Sequence, residues 1–134
     1  MNNLSFGVQT ISGTGALKVG LDFLSRNGYN VFYASNPTWG NHNLMAKQTG
    51  FSVRKYRYYE ASTKSIDFKG MVEDLQVFFN SISLINKVLN INCWINQAAP
   101  ENAVVVLHGI AHNPSGMDLT MDEWHIISQI VKVS

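Results

Sequence analysis

The sequence has a single cysteine, Cys93, which rules out an internal disulfide or a cysteine-built zinc cage and fits a reducing compartment. It has no cluster of lysine and arginine. Ten basic residues stand against nine acidic ones, a net charge of +1, so no electrostatic footprint for nucleic acid or an acidic membrane surface is present. Long apolar runs are also absent: the longest, Ala103 to Leu107, is far short of the roughly 20 residues a spanning helix needs. A soluble chain that does not enter the membrane is expected. The four histidines show no metal-ligand spacing, and no internal repeat is visible. MNNLSFGVQT lacks the basic start and apolar core of a secretion signal. What is there, 134 residues of which 46% are hydrophobic, suffices for one domain with a real core.

Helical and strand periods alternate along the chain. From Thr14 to Arg26, Leu17, Leu21 and Leu24 recur at helical spacing with Gly20 on the same face, which predicts an amphipathic helix opened by SGTG. Asn30 to Ser35 is a short β-prone run, ended by Asn36-Pro37 because the residue before a proline is pushed out of helical geometry. A short helix over His42 to Thr49, closed by Gly50, and an alternating strand over Ser52 to Tyr59 follow. Asp67 is placed to cap a helix with Phe68, Met71, Val72 and Leu75 on one side. Ala103 to Leu107 reads as a buried strand, and Thr120 with Glu123 forms a capping box before the helical period of Trp124, Ile127 and Val131. This order predicts an α/β layered fold with a largely parallel sheet.

Three loops carry residue types suited to chemistry, and each has a plain structural reading as well. Ser12-Gly13-Thr14-Gly15 precedes a helix, whose free amides and positive dipole end favour an anion, although a glycine-rich helix start needs no ligand. Pro37-Thr38-Trp39-Gly40-Asn41-His42 follows a strand. Its indole can stack on a flat ligand while Thr38 and His42 join a polar network, or Trp39 can fill a loop cavity. His108 to Gly116, HGIAHNPSG, also follows a strand: His108 brings a proton carrier and Asn113 an amide donor, while Asn-Pro and Ser-Gly also suit a structural turn. His112 is read as structural.

Taken together, SGTGAL, NPTWGNH and AHNPSG, with YRYY and DLTMDEW between and after them, resemble the aspartate aminotransferase branch of the fold-type I, pyridoxal-phosphate-dependent aminotransferases, from about Val8 to Lys132. The resemblance implies part of a three-layer α/β/α large domain with a mostly parallel sheet, and pyridoxal 5′-phosphate as cofactor. By motif, Ser12, Gly13 and Thr14 would bind the cofactor phosphate, and Trp39 would stack on its ring. Asn113 would donate to its phenolic oxygen and, with Trp39, help hold the substrate. Thr38, His42 and His108 would support the aspartate that keeps the ring nitrogen protonated; that aspartate is not among the matched residues. The implied reaction moves an amino group between L-aspartate and 2-oxoglutarate, giving oxaloacetate and L-glutamate, with an aromatic-amino-acid aminotransferase or a non-catalytic remnant as alternatives. The match stops before the family's Schiff-base lysine and carboxylate-clamping arginines. Lys18, Lys47, Lys55, Lys64, Lys69, Lys87 and Lys132 all lie outside its motif, so the chain alone is expected not to transaminate. Ser115, where threonine is commoner, and Gly109-Ile110, in place of a small pair, remove no named role. A homodimer in the full-length family, and either the cytosol or the mitochondrial matrix, are further implications.

Val77 to Gln97 does not fit this pattern. Joining VEDLQ directly to AAPENAVVVLHG restores a helix, short loop and strand, where a connection of a few residues is usual. The stretch is read as a non-family insertion within a partial large domain spanning residues 1–134. Valine codons begin with GT and Gln97 can be CAG, so a retained intron accounts for its ends, and Val133-Ser134 can likewise encode a splice donor. A lineage-specific surface element is the alternative.

Overall fold

A computed structural model describes residues 7–77 and 103–132. The Val77–Gln97 stretch therefore lies outside the described residues but for Val77 itself. The elements in chain order are α1 (Ser12–Arg26), β1 (Val31–Asn36), α2 (Gly40–Gln48), β2 (Ser52–Arg57), β3 (Tyr59–Glu60), β4 (Ser65–Ile66), α3 (68–77), β5 (Ala103–Val105) and α4 (Met121–Lys132).

The architecture is organised by β1, whose residues Val31 to Ser35 are all buried. A parallel sheet is stable only with both faces covered, which is why this strand reads as a nearly continuous apolar run. β2 and β5 flank β1 and both pair with it in parallel, Val31 lying opposite Ser52 on one side and Ala103 on the other. Side chains alternate across the sheet. Val31 and Tyr33 pack with Tyr56, Tyr58, Met71 and Leu75 and with Leu119 and Ile127, under α3 and α4. Phe32 and Ala34 pack with Leu21, Met45, Ala46 and Phe51, under α1 and α2. Helix, sheet and helix thus form three layers, as expected.

Several boundaries differ from the periodic pattern, each for a local reason. α1 begins at Ser12 rather than Thr14 because the Gly15 amide donates to the Ile11 carbonyl at 3.1 Å, making Ser12 to Thr14 the first turn. Gly20 is exposed, so it does not share the buried face of Leu21. β1 is shifted one residue, to Val31–Asn36, and α2 starts at Gly40, where the Trp39 carbonyl accepts the His42 amide at 3.0 Å. Gly50, at φ +93, closes α2 as expected, in a conformation that penalises a Cβ. The strand expected over Ser52 to Tyr59 is split. Arg57 is drawn to α3, its amide and guanidinium both donating to Asp74, and Tyr59–Glu60 turns back to pair antiparallel with Ser65–Ile66. β5 ends at Val105 instead of Leu107, although the Val106 amide still reaches the Tyr33 carbonyl at 2.9 Å.

Both predicted caps are formed. Asp67 Oδ1 accepts the Gly70 amide at 2.8 Å, and at α4 the Glu123 carboxylate accepts the Thr120 amide at 2.7 Å while Thr120 Oγ1 accepts the Glu123 amide at 3.3 Å. Trp124 and Ile127 face the core; the side chain of Val131 lies outside the described residues. Thr120→Ala is expected to lower the unfolding free energy by about 1 kcal/mol, read from the urea midpoint at constant slope. An unchanged midpoint would mean that the reciprocal pair does not hold the start of α4.

Candidate functional site

Parallel pairing decides which loops meet. Because β1 and β5 are neighbours and run the same way, the loop after Asn36 and the loop after Val105 leave from one edge of the sheet. α1 turns into β1 through residues 27–30 and packs back along it, so its first turn also points towards the edge where β1 ends. Ligand sites of open α/β sheets occupy this edge. Both strand-following loops contain a cis peptide, Asn36–Pro37 and Asn113–Pro114.

Rings from both loops form a continuous ladder. Trp39 meets His42 edge-on at 5.3 Å between centroids, and His42 meets His108 edge-on at 5.0 Å. His108 lies 4.4 Å from His112, which stacks on Tyr58 at 3.9 Å. Thr38 Oγ1 is 2.8 Å from His42 Nδ1. Asn113 joins through its backbone, its amide donating to His108 Nδ1 at 3.2 Å, while the residue itself is exposed. Thr38, Trp39, His42, His108 and Asn113 are therefore brought together. Ser12, Gly13 and Thr14 are exposed in the first turn of α1, and among the described residues no hydrogen bond or ring contact ties them to the ladder. No side chain caps that turn and no carboxylate stands in it, so its amides are open to an anion.

Pattern reading missed four members of this assembly and undervalued a fifth, His112. His112 is 1% exposed, with Nε2 at 2.9 Å from Ser35 Oγ and Nδ1 at 2.7 Å from Ser115 Oγ. Asp118 accepts the amides of Ala111 and His112, and the Tyr58 hydroxyl donates to the Met117 carbonyl. One signal was available: Ser35 falls on the same face of β1 as Val31 and Tyr33, so alternation places its hydroxyl beside whatever covers that face.

The ladder is neutral at neutral pH. Burial and then the neighbouring His108 push His112 down to about 4. Burial also lowers His42, with His108 adding to it, and lowers His108 itself against the opposing pull of Asp118. Tyr58 is raised to about 12 by burial and by the charges of Asp118 and Glu123. In neutral His108, Nδ1 accepts the Asn113 amide, so the proton sits on Nε2, which is buried and has no partner among the described residues. Such a donor calls for an acceptor from outside them. Among the described residues no group of three or more His, Cys, Asp or Glu side chains suits a metal ion, and no helix is long and apolar enough to cross a membrane. The edge thus offers an aromatic wall, an amide side chain and an open helix N-terminus.

Comparison with known proteins finds relatives over almost the whole chain. The chain is 40% identical over 126 residues to a cytoplasmic aspartate aminotransferase of Oryza sativa subsp. japonica, covering 93% of this chain and 26% of the relative. Among solved structures, aspartate aminotransferase from Trypanosoma cruzi is 36% identical with a TM-score of 0.74, covering 93% of this chain and 27% of that one. An aromatic-amino-acid aminotransferase from Burkholderia pseudomallei, covalently bound to pyridoxal phosphate, is 33% identical with a TM-score of 0.69, covering 92% and 26%. The chain thus spans about a quarter of the length of these proteins. The family model for aminotransferase class I and II matches residues 4–133, and the chain belongs to that family.

Proposed function

We propose that this chain supplies the cofactor-binding surface of an aspartate aminotransferase that uses pyridoxal 5′-phosphate to exchange an amino group between L-aspartate and 2-oxoglutarate. The observation that carries the reading is the Trp39–His42–His108 ladder, set beside Asn113 at the sheet edge towards which the uncapped start of α1 points.

The residues present fit the group. Ser12, Gly13 and Thr14 would hold the phosphate through amides and hydroxyls; a Cβ built at Gly13 meets nothing within 4 Å, so the backbone is open to approach. Trp39 would lie against the ring and keep water from one face. The Asn113 amide would donate to the phenolic oxygen and to the substrate carboxylate. His42, held by Thr38, and His108, whose Nε2–H lacks an acceptor, suit the support of a carboxylate at the ring nitrogen. Bound there, the cofactor supplies an electron sink for chemistry at the amino-acid α-carbon.

The aspartate names of the rice and trypanosome proteins support that substrate over the aromatic alternative. In the same reading, residues 1–134 are part of a large domain, Val77 to Gln97 is an insertion foreign to the family, the full-length enzyme is a homodimer, and it works in the cytosol or the mitochondrial matrix.

The test uses 4′-deoxypyridoxine 5′-phosphate, which keeps the ring and phosphate but has no aldehyde to react with surface lysines. Saturable binding to the purified chain is expected, with Thr14→Ala weakening it about tenfold, as the loss of a hydrogen bond to a charged group does. Trp39→Phe should reduce the fluorescence change on binding. Failure to bind, or binding indifferent to Thr14→Ala, would remove the proposal. The chain alone is expected not to transaminate aspartate.

A further inference from the structure

The loop from Val106 to Thr120 is shaped mainly by side chains. Within it a single backbone pair is formed between described residues, the Gly116 amide donating to the His112 carbonyl at 2.7 Å. The Asp118 carboxylate gathers the amides of Ala111 and His112 at 2.8 and 2.9 Å, and Ala111 is held at φ 53, a conformation that a residue with a Cβ adopts only when its surroundings impose it. Asn113 follows directly.

His112 is the anchor of this turn to the sheet. The Ser115 hydroxyl accepts the Met117 amide and has its proton free to donate to His112 Nδ1. The opposite nitrogen then carries the ring proton and donates to Ser35 Oγ at 2.9 Å. Ser35 in turn bonds the Tyr56 hydroxyl, which donates to the Val106 carbonyl at 2.8 Å, where the loop begins. Each hydroxyl donates once in this direction, and with the order reversed the Ser115 proton has no acceptor among the described residues. The imidazole is also clamped between rings, Tyr58 at 3.9 Å and His108 at 4.4 Å.

We propose that His112 is a positioning residue for Asn113: bonded through both ring nitrogens and clamped by Tyr58, it holds the turn at Ala111 so that Asn113 faces the ligand at the sheet edge. The inference rests on the reading of Asn113 as a cofactor contact. His112 touches no ligand itself and acts only through its neighbour.

The test is a double-mutant cycle in the purified full chain, reading the affinity for 4′-deoxypyridoxine 5′-phosphate. Asn113→Ala and His112→Ala are each expected to weaken binding about tenfold, and the double variant to bind no more weakly than Asn113→Ala alone. If His112→Ala leaves affinity unchanged while Asn113→Ala weakens it, or if the two losses multiply to about a hundredfold, the positioning role is overturned and the cofactor reading stands. If Asn113→Ala itself changes nothing, the cofactor reading of this loop fails and the proposal fails with it. Should His112→Ala not fold, Ser115→Ala removes one of the two ring anchors from a less buried position. Its expected loss of about threefold should vanish in the Asn113→Ala background, and persistence there would overturn the proposal equally.

Discussion

Replacing Phe32 with alanine is expected to lower the unfolding free energy by about 3–5 kcal/mol, out of a total of about 5–15 kcal/mol for a domain of ordinary stability. Phe32 is wholly buried in the central strand and meets Phe51 edge-on at 6.1 Å. Its neighbours across the two ladders are Val53 and Val104, which share its face of the sheet. Strands paired on both sides cannot close over the cavity, so the loss should sit at the upper part of that range. The measurement is the urea midpoint at constant slope. The truncation should also loosen α1, whose Leu21 packs in the same cluster, and thereby weaken phosphate-probe binding at Ser12 to Thr14. A loss below about 1 kcal/mol would mean that the layer of α1 and α2 is not packed on β1 as described.

Acid is expected to unfold the chain from within. His112 has an ordinary value of 6.5 and a folded value of about 4, so the folded state resists the proton that the unfolded state takes up. Above pH 6.5 both states hold it neutral and stability is at its full level. Between pH 6.5 and 4 stability falls as pH falls, by about 3 kcal/mol for this group alone. His42 and His108, also depressed, add in the same direction. The groups facing His112 are His108, Tyr58 and Asp118, with His42 beyond. Asp118 has its carboxyl held low by the Ala111 and His112 amides, so it keeps its charge through this window and moderates the effect. Urea unfolding at intervals from pH 7.5 to 4 checks the slope, and His112→Gln should flatten it. A midpoint independent of pH across that range would show that the imidazole is protonated without losing its partners.

The sequence was most informative where period and burial coincide. The short β-prone run of Asn30 to Ser35, the Asp67 cap and the Thr120–Glu123 box each depend on neighbours within a few residues, and each is formed, the strand shifted by one residue. The split of the second strand was not legible. Nothing in VRKYRYY signals that Arg57 will be turned towards Asp74 on a helix far along the chain. Within the site, the three loops announced themselves through residue type and order, whereas the bonds that organise them cross the chain. Ser35 and His112 are a long way apart in sequence, and only the adjacency of β1 and β5 puts a serine hydroxyl against that ring. Local patterns mark such residues as turn formers, and burial makes His112 an anchor.

β5 is fixed on β1 by its ladder, and Met71 and Leu75 fix α3 under Tyr56 and Tyr58, so the two ends of the connection over 78–102 are set in space whatever its length. Chain entropy grows only with the logarithm of loop length, and lengthening a connection about fivefold costs about 1.4 kcal/mol. Carrying or losing Val77 to Gln97 changes the connection by about that factor. The sheet tolerates either form at a cost smaller than that of one truncated core side chain. Selection on folding therefore has little purchase on the length of this connection.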